Sequence, residues 1–193
     1  MNRERADATR NRAVLVATAR EMLAEAGIDK LTMDALAERS GLGKGTVFRR
    51  FGTRSGIFLA LLDESERAFQ QRVLSGPPPL GPGAEPLDRL TEFGRARLKF
   101  LLENREIARA AMDSRMPVPF GPPATMTQTH IRMLLRQMSI NAVDLDILSM
   151  QLTAALDVPL LLYLPWDDNG PSGQTIEDRL SRGWEDLIRR ISR

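Results

Sequence analysis

The stretch Ser40–Gly56, SGLGKGTVFRRFGTRSG, sets glycines beside Lys44 and three arginines. Glycines next to a lysine can cradle a nucleotide phosphate, and the same residue types can also turn a short helix into the groove of DNA. Spacing separates the two readings. A phosphate loop needs Gly-x4-Gly-Lys-Ser/Thr after a strand, whereas here Lys44 is followed by Gly45 and a helical pattern precedes it. Nor does Gly41-x-Gly43-x-Gly45 continue into the dinucleotide spacing, because position 46 is Thr.

Charge around the stretch favours a polyanion. No acidic residue occurs between Glu38 and Asp63, while Arg39, Lys44, Arg49, Arg50 and Arg54 all fall inside that gap. A local basic patch of this kind is an electrostatic footprint for nucleic acid, even though the net charge of the whole chain is only +2.

The periodicity on both sides is helical. Leu15, Ala19, Met22, Leu23 and Ala26 follow helical spacing and stop at Gly27, which predicts a first helix of about 17 residues. Thr32 then caps a short second helix with Asp34 in its first turn, and that helix ends near Ser40 and Gly41. A third short helix runs from Gly43 or Lys44 to Phe51, with Val47 and Phe51 facing inward and the charged residues outward. Thr53 caps a longer fourth helix carried by Ile57, Phe58, Leu61, Leu62 and Phe69 towards Leu74. Two short helices meeting at a glycine turn, the second one basic, are a helix-turn-helix.

Together, LTMDALAERSGLGKGTVFRRFGTRSGIFLALL resembles the TetR family signature of a Thr-capped helix, a glycine turn, Lys-Gly-Thr and an aromatic-basic-Phe motif. With the first helix, the resemblance spans roughly residues 10 to 62. It implies phosphate contacts for Thr32 and Lys44, and base proximity for Gly45 and Thr46. Arg49 or Arg50 would reach a base edge or a phosphate, and Thr53 and Arg54 would meet the DNA backbone; Phe48 belongs to the same surface. The family usually has Tyr at Phe48, His at Arg50, Pro at Gly52 and a Ser or Thr cap at Gly43. The first departure removes a hydroxyl able to bond a phosphate, and the second adds a permanent charge.

Beyond the motif the chain still reads as helix broken by proline. SGPPPLGPGAEP (75–86) cannot continue a helix, so a loop is expected there, followed by helices at Leu87–Asn104 and Arg105–Ser114. MPVPFGPPA (116–124) is a second loop, and a helix from Thr125 to Ser139 follows it. The segment from Asp144 to Pro165 is apolar on all sides and calls for cover on two faces. Ile176, Leu180, Trp184, Leu187 and Ile191 form the stripe of a last helix. The fold class expected is therefore all-α, about nine helices, with a helix-turn-helix domain over residues 1–55 and a larger ligand-binding and dimerisation domain over 56–193.

Within that larger part the resemblance implies a ligand pocket among the middle helices and dimerisation through the last two. Phe93, Phe100, Met112, Met116, Phe120, Met126, His130 and Met133 are candidates to line an apolar cavity for a small apolar or amphipathic effector. The same residues at helical spacing also read as plain core, and His130 reads as a surface histidine. Leu148, Leu152, Leu156, Leu180, Trp184, Leu187 and Ile191 are expected between two copies, as half of an intermolecular four-helix bundle. Asp157, inside LTAALDVPLLLYL, is placed at the kink made by Pro159 or at that interface.

Composition narrows the alternatives. With no cysteine and a single histidine, neither a disulfide framework nor a thiolate metal site is available, and no nucleophile–base motif occurs. No catalytic residue, metal or cofactor is expected. The N-terminus lacks the apolar core of a signal peptide and no run approaches a membrane span, so a cytoplasmic location with no membrane partner is expected. The reading is a homodimeric regulator, most simply a ligand-released repressor, on palindromic double-stranded DNA. An architectural DNA-binding protein without an effector is the alternative, and an enzyme in the helical domain a more distant one.

Overall fold

The computed structural model describes residues 2–112, 122–138, 140, 144–162 and 175–192, and the side chains of 7–112, 126–138, 140, 144–157 and 175–192. The described residues form helices and no strand. The helices are α1 (Asn2–Ala26), α2 (Met33–Ser40), α3 (Lys44–Phe51), α4 (Arg54–Ser75), α5 (Pro86–Glu103), α6 (Arg105–Ala111), α7 (Pro122–Gln137), α8 (Leu145–Leu162) and α9 (Ile176–Ile191), with a 3-10 turn at Ile28–Lys30. None among the described residues is long and apolar enough to cross a membrane.

Packing divides the chain into two units. The first comprises Met1–Ser65 with the segment from Glu106, and the second comprises Glu66–Arg105 with the segment from Phe120 onward. The first packing unit thus runs ten residues past the expected 55/56 limit.

In the first unit, Leu15, Val16, Ala19 and Met22 of α1 meet Leu31, Leu36, Val47, Ile57, Phe58 and Leu61 in one apolar cluster, which Ala111 of α6 joins. α2 begins as its sequence dictates: the Thr32 hydroxyl accepts from the Ala35 amide at 3.2 Å, supplying a partner that the helix itself cannot. It ends at Gly41, whose φ of 68° is left-handed backbone that a side chain at Cβ would strain. That turn points α3 away from α2 while Val47, fully buried, holds α3 to the cluster. Thr53 caps α4, accepting from the Gly56 amide at 3.2 Å.

α1 is longer than the apolar pattern predicts, at 25 residues. Its first turns carry polar side chains, so periodicity had nothing to register there. α7 likewise starts at Pro122 rather than Thr125, since proline is tolerated in a first turn, where the amide has no helical partner anyway.

In the second unit the cluster is built on α5. Phe69 and Val73 of α4, Leu90, Phe93, Phe100 and Leu101 of α5, Ile131, Leu134 and Leu135 of α7, Leu152 and Leu156 of α8, and Trp184 and Ile188 of α9 pack together. Three of the residues expected between copies, Leu152, Leu156 and Trp184, are therefore spent inside one copy, each at most 4 % exposed. Leu148, Leu180 and Ile191 lie partly buried against the same cluster, and only Leu187 of that set is exposed. The cause is α5: its Gly94 leaves a gap that the Trp184 indole fills, and the indole N–H donates to the Leu90 carbonyl at 3.1 Å.

The charged residue in α8 has the same kind of explanation. Asp157 sits 3.4 Å from Arg97 Nε, and Arg97 Nη1 lies 2.6 Å from Glu66 Oε2, all three side chains buried. Among the described residues, Asp157 therefore meets Arg97 in the core of the second unit. It is one end of an internal ion cluster joining α4, α5 and α8.

Candidate nucleic-acid interface

The outer face of α3 carries the residues that the sequence singled out. A Cβ added at Gly45 would meet nothing within 4 Å, so another backbone can approach closely there. Thr46 is half-buried beside it, Phe48 is 50 % exposed, and Lys44, Arg49 and Arg50 are exposed. Arg49 makes no ion pair or hydrogen bond among the described residues, which leaves its planar fork available to a phosphate or a guanine edge.

The remaining cations are engaged. Lys44 Nζ lies 2.7 Å from Asp34 Oδ1, and both side chains are two-thirds exposed. A pair this open is worth about 0–1 kcal/mol, so a phosphate can take the ammonium from it at little cost. Arg39 is held in a fork by Glu25, at 2.5 and 2.7 Å, with Glu21 at 3.8 Å. The guanidinium holds the Glu25 carboxyl below its ordinary pKa. Arg54, expected at the DNA backbone, turns to its own chain instead. Its Nε donates to the Leu31 carbonyl at 2.7 Å, its Nη2 to Ile28, and the guanidinium lies over the Phe58 ring. Arg50 donates to the carbonyl of Ala8 on α1. The acid-free gap in the sequence is thus partly filled in space by acids of α1 and α2, which no local reading of 38–63 can see.

Thr32 and Thr53 are exposed and already serve as helix caps. A capping hydroxyl keeps a proton to donate, so the cap and a phosphate contact are compatible. Thr53 also shares a hydrogen bond with Ser55 at 2.8 Å.

This arrangement, a capped α2, a left-handed glycine turn and an α3 exposing Gly45, Thr46 and Arg49, is a helix-turn-helix with its second helix free to enter a major groove. Residues 15–61 match the model of the bacterial regulatory proteins of the tetR family. The N-terminal helix-turn-helix is thus similar in sequence to that family's DNA-binding domain. Three crystal structures carry the same fold along nearly the whole chain. A TetR-family transcriptional regulator from Pectobacterium atrosepticum is 20 % identical, covering 97 % of this chain and 94 % of its own, with a TM-score of 0.68. A regulator of the TetR/AcrR family from Thermobifida fusca is 18 % identical over 92 % and 95 %, with a TM-score of 0.59. The regulator PfmR from Thermus thermophilus is 19 % identical over 92 % and 97 %, with a TM-score of 0.55. No curated protein matches the chain in sequence. The match supports DNA binding by the N-terminal unit, and the fold is that of TetR-family transcriptional regulators.

The residues considered for an effector are dispersed. Phe93 and Phe100 are core, each stacked at a tilt on Phe69 with centroids 5.9 and 5.2 Å apart. His130 is buried, not on the surface, with its ring 4.7 Å from that of Phe93 and its Nε2 without a hydrogen-bond partner among the described residues. Burial, helped by the Arg89 charge, lowers its pKa to about 4. Met126 is half-buried, Met133 is 37 % exposed on the outside of α7, and Met112 belongs to the first unit. Met116 and Phe120 lie outside the described residues.

The sequence reading missed the cluster of Glu66, Arg97 and Asp157. Burial raises the Asp157 pKa, against the opposing pull of Arg97. Its signal was present in two places: Arg97 falls in the apolar stripe of α5, and Asp157 falls in an apolar run of α8. Two opposite charges at core positions of different helices predict a buried pair, since neither is tolerated there alone.

Proposed function

We propose that the protein is a cytoplasmic repressor that binds a palindromic operator as a homodimer and releases it when a small apolar or amphipathic molecule binds the second unit. The single observation that carries the DNA reading is the outer face of α3, where Gly45, Thr46 and Arg49 are uncommitted and Lys44 is held only by an exposed carboxylate. Two such helices about a two-fold axis would enter successive major grooves about 34–36 Å apart. An effector releases the DNA by binding more tightly to the form whose spacing is wrong; equal affinity for both forms shifts nothing. α4 starts in the first unit and ends in the second, so one continuous helix belongs to both.

Affinity for duplex DNA, followed by fluorescence anisotropy across a salt series, tests the contact. Lys44→Ala is expected to weaken binding to every sequence and to flatten the log–log salt dependence by roughly one unit. Undiminished slope and affinity would take Lys44 out of the interface. A DNA-binding protein with no effector is the second reading, and the packing of Phe93 and Phe100 into the core favours it. Release of bound DNA by a small molecule separates the two.

A further inference from the structure

Arg49 and Arg50 are neighbours on α3 with different surroundings. Arg50 reaches back to α1, where its Nη2 donates to the Ala8 carbonyl. A carbonyl has two lone pairs, so one inside a helix can accept a second donor from outside it. Asp7, Ala8 and Asn11 of α1 and Thr46, Arg49 and Arg50 of α3 line one open cleft of about 490 Å³. These α1 residues precede the segment 15–61 that matches the family, and Asp7, Ala8, Thr9 and Arg10 are all exposed. An exposed helix end with no buried apolar side chain frays unless something ties it down. Among the described residues, Arg50 supplies one such tie on this face.

We propose that Arg50 is a positioning residue that seats the first turns of α1 beside α3, so that Asn11, Thr46 and Arg49 present one surface to DNA. The inference rests on the DNA-binding reading and departs from the phosphate or base contact expected of Arg50. Its side chain lies along the cleft with its fork turned to α1, and Asp7 in the same cleft supplies a nearby opposite charge. Arg49, one position earlier, is then the arginine of α3 that meets DNA.

The salt dependence of binding distinguishes the two roles, because only a cation on a phosphate releases a counterion. Arg50→Met, the helix-fraying pair Ala6→Gly with Ala8→Gly, and all three together are compared with the full-length wild type on one duplex between roughly 50 and 200 mM salt. Arg50 is exposed, so its substitution leaves the fold intact, which helicity by circular dichroism checks. The expected result is a loss of about tenfold for Arg50→Met with an unchanged slope, a similar loss for the glycine pair, and no further loss on combining them. A slope reduced by about one, unchanged affinity, or an Arg50→Met loss that persists in full in the frayed chain would overturn the proposal. A wild type that binds no duplex would overturn the DNA-binding reading and this inference with it.

Discussion

The His130 ring, packed on Phe93 with its Nε2 unpartnered among the described residues, is kept neutral at pH 7 by burial. Its pKa falls from 6.5 to about 4 on folding, so it contributes stability that is complete above pH 6.5 and is lost as the pH falls towards 4. The displacement corresponds to roughly 3 kcal/mol at most. Asp157 works in the other direction: its raised pKa favours the protonated carboxyl, a contribution present below its ordinary 3.8 and lost as the pH rises through the folded value. Thermal denaturation at a series of pH values is therefore expected to show His130→Phe losing less stability than wild type between pH 6.5 and 4. A wild-type curve no steeper than the variant's would mean that the buried ring takes up its proton at least as readily folded as unfolded. The spacing of His130 from Ile131 and Leu134 puts it on the apolar face of α7, a mark that its polar type obscured.

Among elements, α5 and α9 show how far periodicity reaches. The stripe of Ile176, Leu180, Trp184, Leu187 and Ile191 is legible in the sequence as one face of a helix; Leu180, Trp184 and Ile191 pack on the core, Ile176 is half-buried and Leu187 is exposed. What it is buried against was not legible, since a 3.6-residue period names a face and not its partner. Gly94 supplies the missing half: a Cβ there would lie 1.9 Å from Trp184 Nε1, so the absence of a side chain on α5 is what seats α9. Gly94→Ala is expected to lower the unfolding free energy by about 1–3 kcal/mol or more, because a packed indole cannot give way as the end of a flexible chain would. Denaturant unfolding measures it, and a variant as stable as wild type would show that Trp184 repacks without cost. A charge at Trp184 is accordingly expected to unfold the second unit, where a surface residue would have yielded folded monomers.

For the whole molecule, the proposed dimer must use what the protomer leaves uncovered. Among the described side chains, that includes Ile147 and Met150 on α8, 46 % and 51 % exposed, and Leu187 on α9. These apolar side chains face solvent on the two helices that the TetR resemblance assigns to dimerisation, while Leu152, Leu156 and Trp184 are occupied. Met150→Glu combined with Leu187→Glu is expected to leave a folded chain that sediments as a monomer and binds DNA at least tenfold more weakly, having lost the second half-site. Sedimentation as a dimer would move the interface elsewhere.

Local sequence is enough for the elements of the DNA-binding unit: the caps at Thr32 and Thr53, the turn at Gly41, the inward Val47 and the outward basic face of α3. Those are local matters, decided by hydrogen bonds and turns within a few residues of each other. Tertiary structure decided which charges are free. Lys44 meets Asp34, Arg39 meets Glu25, Arg54 meets carbonyls of the preceding turn, and Arg50 meets α1, so Arg49 alone of the five basic residues in the gap stands uncommitted among the described residues. It also decided that Arg97 meets Glu66 and Asp157 in the core and that α9 closes on Gly94. The reason is range: a cap or turn is written in adjacent residues, whereas the partner of a charge or of an apolar stripe is chosen by packing between helices tens of residues apart.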